Sequence, residues 1–165
     1  LAAGSTYTPI ATTTLGSATS SYTFSSIPST YTDLVLIING QCASGGSLNT
    51  WVTLNSDTGT NYSSTTLYGD GTSAVSSRNA NQTKGGFCAL SSAVNSTVIY
   101  QFQNYSNSTT YKTFIGRGNV SADIVDARVS LWRSTSAINT IKIELTSGIN
   151  FNSGTTFTLY GITAA

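Results

Sequence analysis

The sequence predicts an all-β fold, an antiparallel β-sandwich of two sheets with a jelly-roll-like path. Three observations carry this expectation. Apolar and polar residues alternate with a period of two through many short segments, the mark of half-buried strands. Clusters of turn-forming residues, "IPST", "NGQCASGG", "SDTGTN", "GDGTS", "NYSNSTT" and "NFNSG", punctuate those segments at the spacing of sandwiches and barrels. No segment of ten or more residues carries helical periodicity.

Strands are expected at residues 10–15, 22–27, 33–39, 50–55, 64–69, 86–90, 97–103, 112–117, 124–133, 138–146 and 156–162. They are rich in Val, Ile, Thr, Phe and Tyr, which fit a pleated surface. The alternation is clearest late in the chain. In "DIVDARVSLWR", Val125, Ala127, Val129 and Leu131 share one face, and Asp126, Arg128, Ser130 and Trp132 share the other. In "INTIKIELT", Ile141, Ile143 and Leu145 oppose Lys142 and Glu144. The expected core therefore includes Leu36, Val129, Leu131, Ile141, Ile143 and Phe157. One domain is expected over residues 9–165, preceded at 1–8 by the end of a linker, because "LAAGST" is small and polar.

Composition narrows the chemistry. Only 8% of residues are charged, about a third are Ser or Thr, and the net charge is +1 with no basic run, which argues against nucleic acid as a partner. The longest apolar run, Leu34-Val35-Leu36-Ile37-Ile38, falls far short of the roughly 20 residues of a membrane-spanning helix, so no membrane insertion is expected. The chain has no His, which removes Ser-His-Asp and Cys-His catalysis and every His-containing metal site. Cys42 and Cys88 fit neither CxxC nor a zinc spacing, and the pair reads either as two free buried thiols or as one disulfide. No cofactor, metal or catalytic residue is expected.

The sharpest enzymatic hint is Asp57-Thr58-Gly59, the tripeptide of aspartic proteases. "KGGF" at 84–87 and "FIGRGN" at 114–119 resemble further segments of the retroviral enzymes. In a homodimer, two Asp57 carboxylates would share a proton and activate water. The contexts disagree with that reading. Polar Asn55 and Ser56 precede Asp57 where an apolar strand should, and the Gly-Arg-Asn segment leads into a strand, not a helix. A polar turn is the plainer description.

Binding offers other candidates. Tyr62, Tyr68, Tyr105 and Tyr111 lie in or beside polar turns, where aromatic rings can stack on sugars or anchor a partner. Trp132 is a large aromatic on the polar face of its strand, close to Arg128 and Arg133. It reads as an anchor of an oligomer interface, or else as a ring folded over the sandwich edge onto its own core.

Three phrases together resemble a family of structural proteins of tailed bacteriophages. They are "YTPIATTTLGSATSSYTFSSIPSTYTDLVLIING", "LNSDTGTNYSSTTLYGDGTSA" and "SLWRSTSAINTIKIELTSGINFNSGTTFTLYGI", which span nearly the whole chain. Asn55, Asp57, Gly59, Asn61 and Tyr62 lie on the family's pattern, and Ser56 stands where the family usually has Gly. The resemblance implies a non-enzymatic module at the virion surface, assembled in the host cytoplasm, with other virion proteins as partners. Such modules often end longer appendage proteins. The expected role is a tail-fibre or appendage domain that binds a host-surface glycan or protein or attaches one virion part to another; the alternative is a capsid decoration protein that stabilises the head. A homotrimer is implied by the resemblance alone.

Overall fold

Residues 6–120 and 124–163 are described in a computed structural model of the chain. Twelve strands run through these residues. They are β1 (Tyr7–Thr14), β2 (Ser21–Phe24), β3 (Asp33–Gly40), β4 (Ser47–Leu54), β5 (Tyr62–Gly69), β6 (Ala74–Gln82), β7 (Gly85–Ser91), β8 (Ser96–Phe102), β9 (Lys112–Val120), β10 (Ile124–Trp132), β11 (Ile141–Leu145) and β12 (Thr156–Ile162). A short 3₁₀ turn, Thr146–Gly148, follows β11.

All pairings are antiparallel, in an eight-stranded sheet ordered β1-β12-β3-β8-β9-β10-β5-β6 and a four-stranded sheet ordered β2-β11-β4-β7. The block β1-β12-β3-β8 facing β2-β11-β4-β7 is a jelly roll. The remaining strands are two insertions, β5–β6 between β4 and β7, and β9–β10 between β8 and β11. Both insertions join the same sheet and widen it beyond the roll.

Each expected segment overlaps one of these strands, and β6 is the one the sequence did not announce. Its residues, "AVSSRNANQ", pair with β5 alone and are exposed or half-buried on both faces. With no buried side, nothing selects an alternating pattern. The domain also begins earlier than expected: Tyr7 and Thr8, placed in the linker, already pair with Ile162 and Gly161. Residues 1–5 of the expected linker lie outside the described residues.

Leu36, Ile141, Ile143 and Phe157 are fully buried, as expected. Strand β10 is turned the other way. Val129 is 49% exposed and Leu131 half-buried, while Asp126, Ser130 and Trp132 are buried. The reason lies in β7, the edge strand of the smaller sheet. Its backbone N–H groups need acceptors, and the inward side chains of the larger sheet supply them: Ser130 Oγ for Gly86 (3.1 Å), Tyr100 Oη for Cys88 (3.1 Å) and Asp126 Oδ2 for Ala89 (3.3 Å). The polar face of β10 is inside because it closes that edge. Two glycines allow so close a contact. Gly86 sits at φ 96°, where a Cβ would fall 2.9 Å from Tyr100 Oη, and a Cβ on Gly116 would fall 2.5 Å from Cys88 Sγ. Cys42 and Cys88 are buried free thiols, which decides between the two readings of the pair.

Candidate functional site

The β4–β5 turn shows what Asp57 does. The Asp57 N–H donates to Leu54 O (2.9 Å), with Asn55 at φ 49° and Ser56 at φ 57°, so both central residues are left-handed as in a tight hairpin turn. Asp57 Oδ1 accepts from the Gly59 N–H (2.8 Å), and Oδ2 accepts from Asn61 Nδ2 (2.9 Å) and from Trp132 Nε1 (2.6 Å). Burial pushes the Asp57 carboxyl up, but these hydrogen bonds outweigh it and hold it below the usual carboxylate range. Asn55 braces the same knot, accepting from the N–H groups of Asn139 and Thr140 and donating to Ala137 O. Tyr62 Oη takes the Leu54 N–H at 2.9 Å.

Most of the residues picked out as surface anchors are structural. Trp132 is 2% exposed and lies nearly parallel to Tyr62 at 6.3 Å, so it covers its own core and offers no interface. Tyr62 and Tyr105 are fully buried, and neither presents a ring face to a sugar. Tyr105 Oη donates to Pro28 O and accepts the Tyr31 N–H. Arg128 is half-buried, bonded to Asp126 (3.2 Å), Thr66 and Asn49 and lying over Phe87. Arg133 holds Thr60 O (2.6 Å) and Asn81 Oδ1. Burial explains the corrections at Trp132, Tyr62 and Tyr105, whose rings pack within their own chain. Tyr68 is half-buried and Tyr111 is exposed.

Two surfaces remain open. The first is the outer face of the widened sheet. The inversion of β10 places Val125 (71% exposed), Ala127 and Val129 there, beside Leu67 (59% exposed) on β5 and half-buried Ile115 on β9. Arg117 and Arg78 are its charged neighbours.

The second is a groove of about 570 Å³ on the outer face of the four-stranded sheet. Its floor is the row Ser21–Glu144–Trp51 across β2, β11 and β4, with Lys142 one pleat away. Lys84, before β7, forms one wall and the 3₁₀ turn another. Lys84 Nζ pairs with Glu144 Oε1 and Lys142 Nζ with Glu144 Oε2, so two ammoniums share one carboxylate. Lys84 Nζ also lies 5.8 Å from the centre of the Trp51 ring, which packs on Phe87 at 4.2 Å. Burial pushes the Lys84 ammonium pKa down, and Lys142 adds to the shift. Sequence reading missed this site. Alternation places Lys142 and Glu144 outward, but only strand pairing brings them beside Trp51. Among the described residues, no three of His, Cys, Asp and Glu lie together as a metal site.

The architecture defines an all-β sandwich of jelly-roll topology. No protein-family model matches the chain, and no curated protein matches it. Among solved structures, an alginate lyase, Aly36B, in complex with an alginate tetrasaccharide is similar at TM-score 0.32 and 7% identity, over 93% of this chain and 80% of that one. A likeness at that level carries no argument about function.

Proposed function

We propose that the chain is a non-enzymatic virion surface module of a tailed bacteriophage, an appendage domain that attaches to the host surface or to another virion part. The observation that carries this reading is the outer face of the widened sheet. Val125, Val129 and Leu67 stand exposed together on neighbouring strands of a Ser- and Thr-rich module, and such a patch suits contact with protein. Copies of the same chain are the proposed occupants, in keeping with the trimeric appendages that the three sequence phrases resemble. The Asp57 knot supports the same reading, since each residue on the family's turn pattern has a structural task there and none is left for catalysis.

Gold-labelled antibody against the purified chain, applied to intact phage particles, tests the proposal. Label confined to the tail or its fibres is the expected result. Label spread evenly over heads would make the chain a decoration protein, and particles without label would sink the virion assignment altogether.

A further inference from the structure

We propose that the Trp51 groove binds an acidic saccharide, with a sugar ring on the Trp51 indole and its carboxylate or sulfate held by Lys84 and Lys142. The inference deepens the host-binding form of the function proposed above, giving that contact a place and a chemistry.

Charge makes the first part of the case. Glu144 neutralises only one of the two lysines that it holds, so the groove keeps one unit of positive charge. The side chains of Lys84, Lys142 and Glu144 are 33%, 42% and 15% exposed, so the carboxylate and the Lys84 ammonium sit partly out of water, where an incoming anion is worth more than at an open surface. An ordinary solvent-facing ion pair has no such surplus. In a chain only 8% charged, two lysines converging on one glutamate stand apart from the hydroxyl-rich surface around them.

The aromatic makes the second part. Trp51 lies on the solvent side of its sheet, between inward-facing Thr50 and Val52, and lines the groove instead of the core. Phe87 braces one part of the indole, and the Lys84 ammonium overlies it. A sugar ring can take the place of that ammonium over the indole, while the ammonium moves to the sugar's acidic group. Ser21 on the floor and Ser20, Thr146 and Ser147 around it offer hydroxyls to a polyhydroxylated ligand. Ser147 adopts a left-handed φ of 62° in the 3₁₀ turn that walls the groove. A peptide would leave many of these hydroxyls unused, and a neutral glycan would leave the spare cation without a partner.

Titration of the whole chain with three probes decides the matter: an oligogalacturonate, a sulfated uronate-free galactan oligosaccharide and a neutral galactan oligosaccharide. Tryptophan fluorescence is the readout, because Trp132 is buried and Trp51 meets the groove. Saturable binding of either acidic probe, well above the neutral one, is expected, and the stronger of the two identifies the acidic group. Lys84→Gln and Lys142→Gln should each weaken binding about tenfold, the scale of one charge-assisted contact. Trp51→Ala, followed by calorimetry, should abolish it. Both lysine changes fall on partly exposed side chains, so they remain informative if Trp51→Ala fails to fold. Equal binding of the neutral probe, no saturable binding, or binding indifferent to both lysine changes would overturn the proposal. Gold labelling of particles is independent of all three outcomes, so the groove can fail while the virion assignment stands, and the reverse.

Discussion

Replacing Asp57 with Ala removes the acceptor of Trp132 Nε1, Asn61 Nδ2 and the Gly59 N–H, and leaves an indole N–H without a partner against the core. Such a loss of charge-assisted hydrogen bonds should cost about 1.5–3 kcal/mol in urea unfolding at neutral pH. The folded carboxyl titrates below its ordinary 3.8, so its stabilising effect is complete above that value and is lost as pH falls through the lower folded value. The deficit of Asp57→Ala should therefore shrink in acid, and a deficit that stays constant with pH would show that the carboxylate's charge is not what holds the knot. The neighbouring residue is strained in the opposite sense. Ser56 holds φ 57°, a left-handed conformation that a Cβ disfavours. Ser56→Gly should raise stability by about 0.5–1 kcal/mol, net of the glycine's greater freedom when unfolded, as a higher melting temperature.

Strands β11 and β9 show how packing distributes stability across the elements. Ile143 on β11 is fully buried between the sheets, and truncation to Ala should cost about 2–5 kcal/mol in chemical denaturation. Adding a single methyl at Gly116 on β9 should also destabilise, by about 1–3 kcal/mol, since a Cβ there meets Cys88 Sγ and the Tyr100 ring, both at 2.5 Å. These two changes probe different things, a cavity in the first case and the closeness of the sheets in the second. β7 makes that closeness necessary. Its edge N–H groups are satisfied only when β8 and β10 bring Tyr100, Ser130 and Asp126 within reach.

Assembly belongs to the molecule as a whole. The 17.2 kDa chain should self-associate in light scattering, as a trimer on the resemblance to virion appendages, and a strictly monomeric species at high concentration would refute autonomous assembly. Val125→Lys together with Val129→Lys should abolish association while leaving the monomer folded, because the two residues are 71% and 49% exposed. Trp132→Ala should do the reverse: it should lower the melting temperature, since the ring is packed in the monomer. The thiols give a separate global check. Cys42 and Cys88 are buried and unpaired, and burial pushes both thiols up, so a reducing agent should leave melting unchanged and thiol reagents should react only on unfolding.

By itself the sequence determined the strand-rich architecture, the position of eleven strands and the polar turn at Asp57, because period-two alternation and turn chemistry are written into neighbouring residues. Leu36, Ile141, Ile143 and Phe157 were legible for the same reason: apolar side chains recurring along one strand face find the core. Tertiary structure alone decided which face of β10 turns inward. Alternation shows that two faces differ and does not say which is buried, and here the edge of β7, distant in sequence, needed acceptors that Ser130 and Asp126 supply. That one choice buried Trp132 and put Val125 and Val129 in solvent. The Trp51 groove was hidden for a related reason. Its four defining side chains come from β4, β11 and the segment before β7, and they meet only through the register of strands far apart in the chain, a long-range pairing that no local pattern encodes.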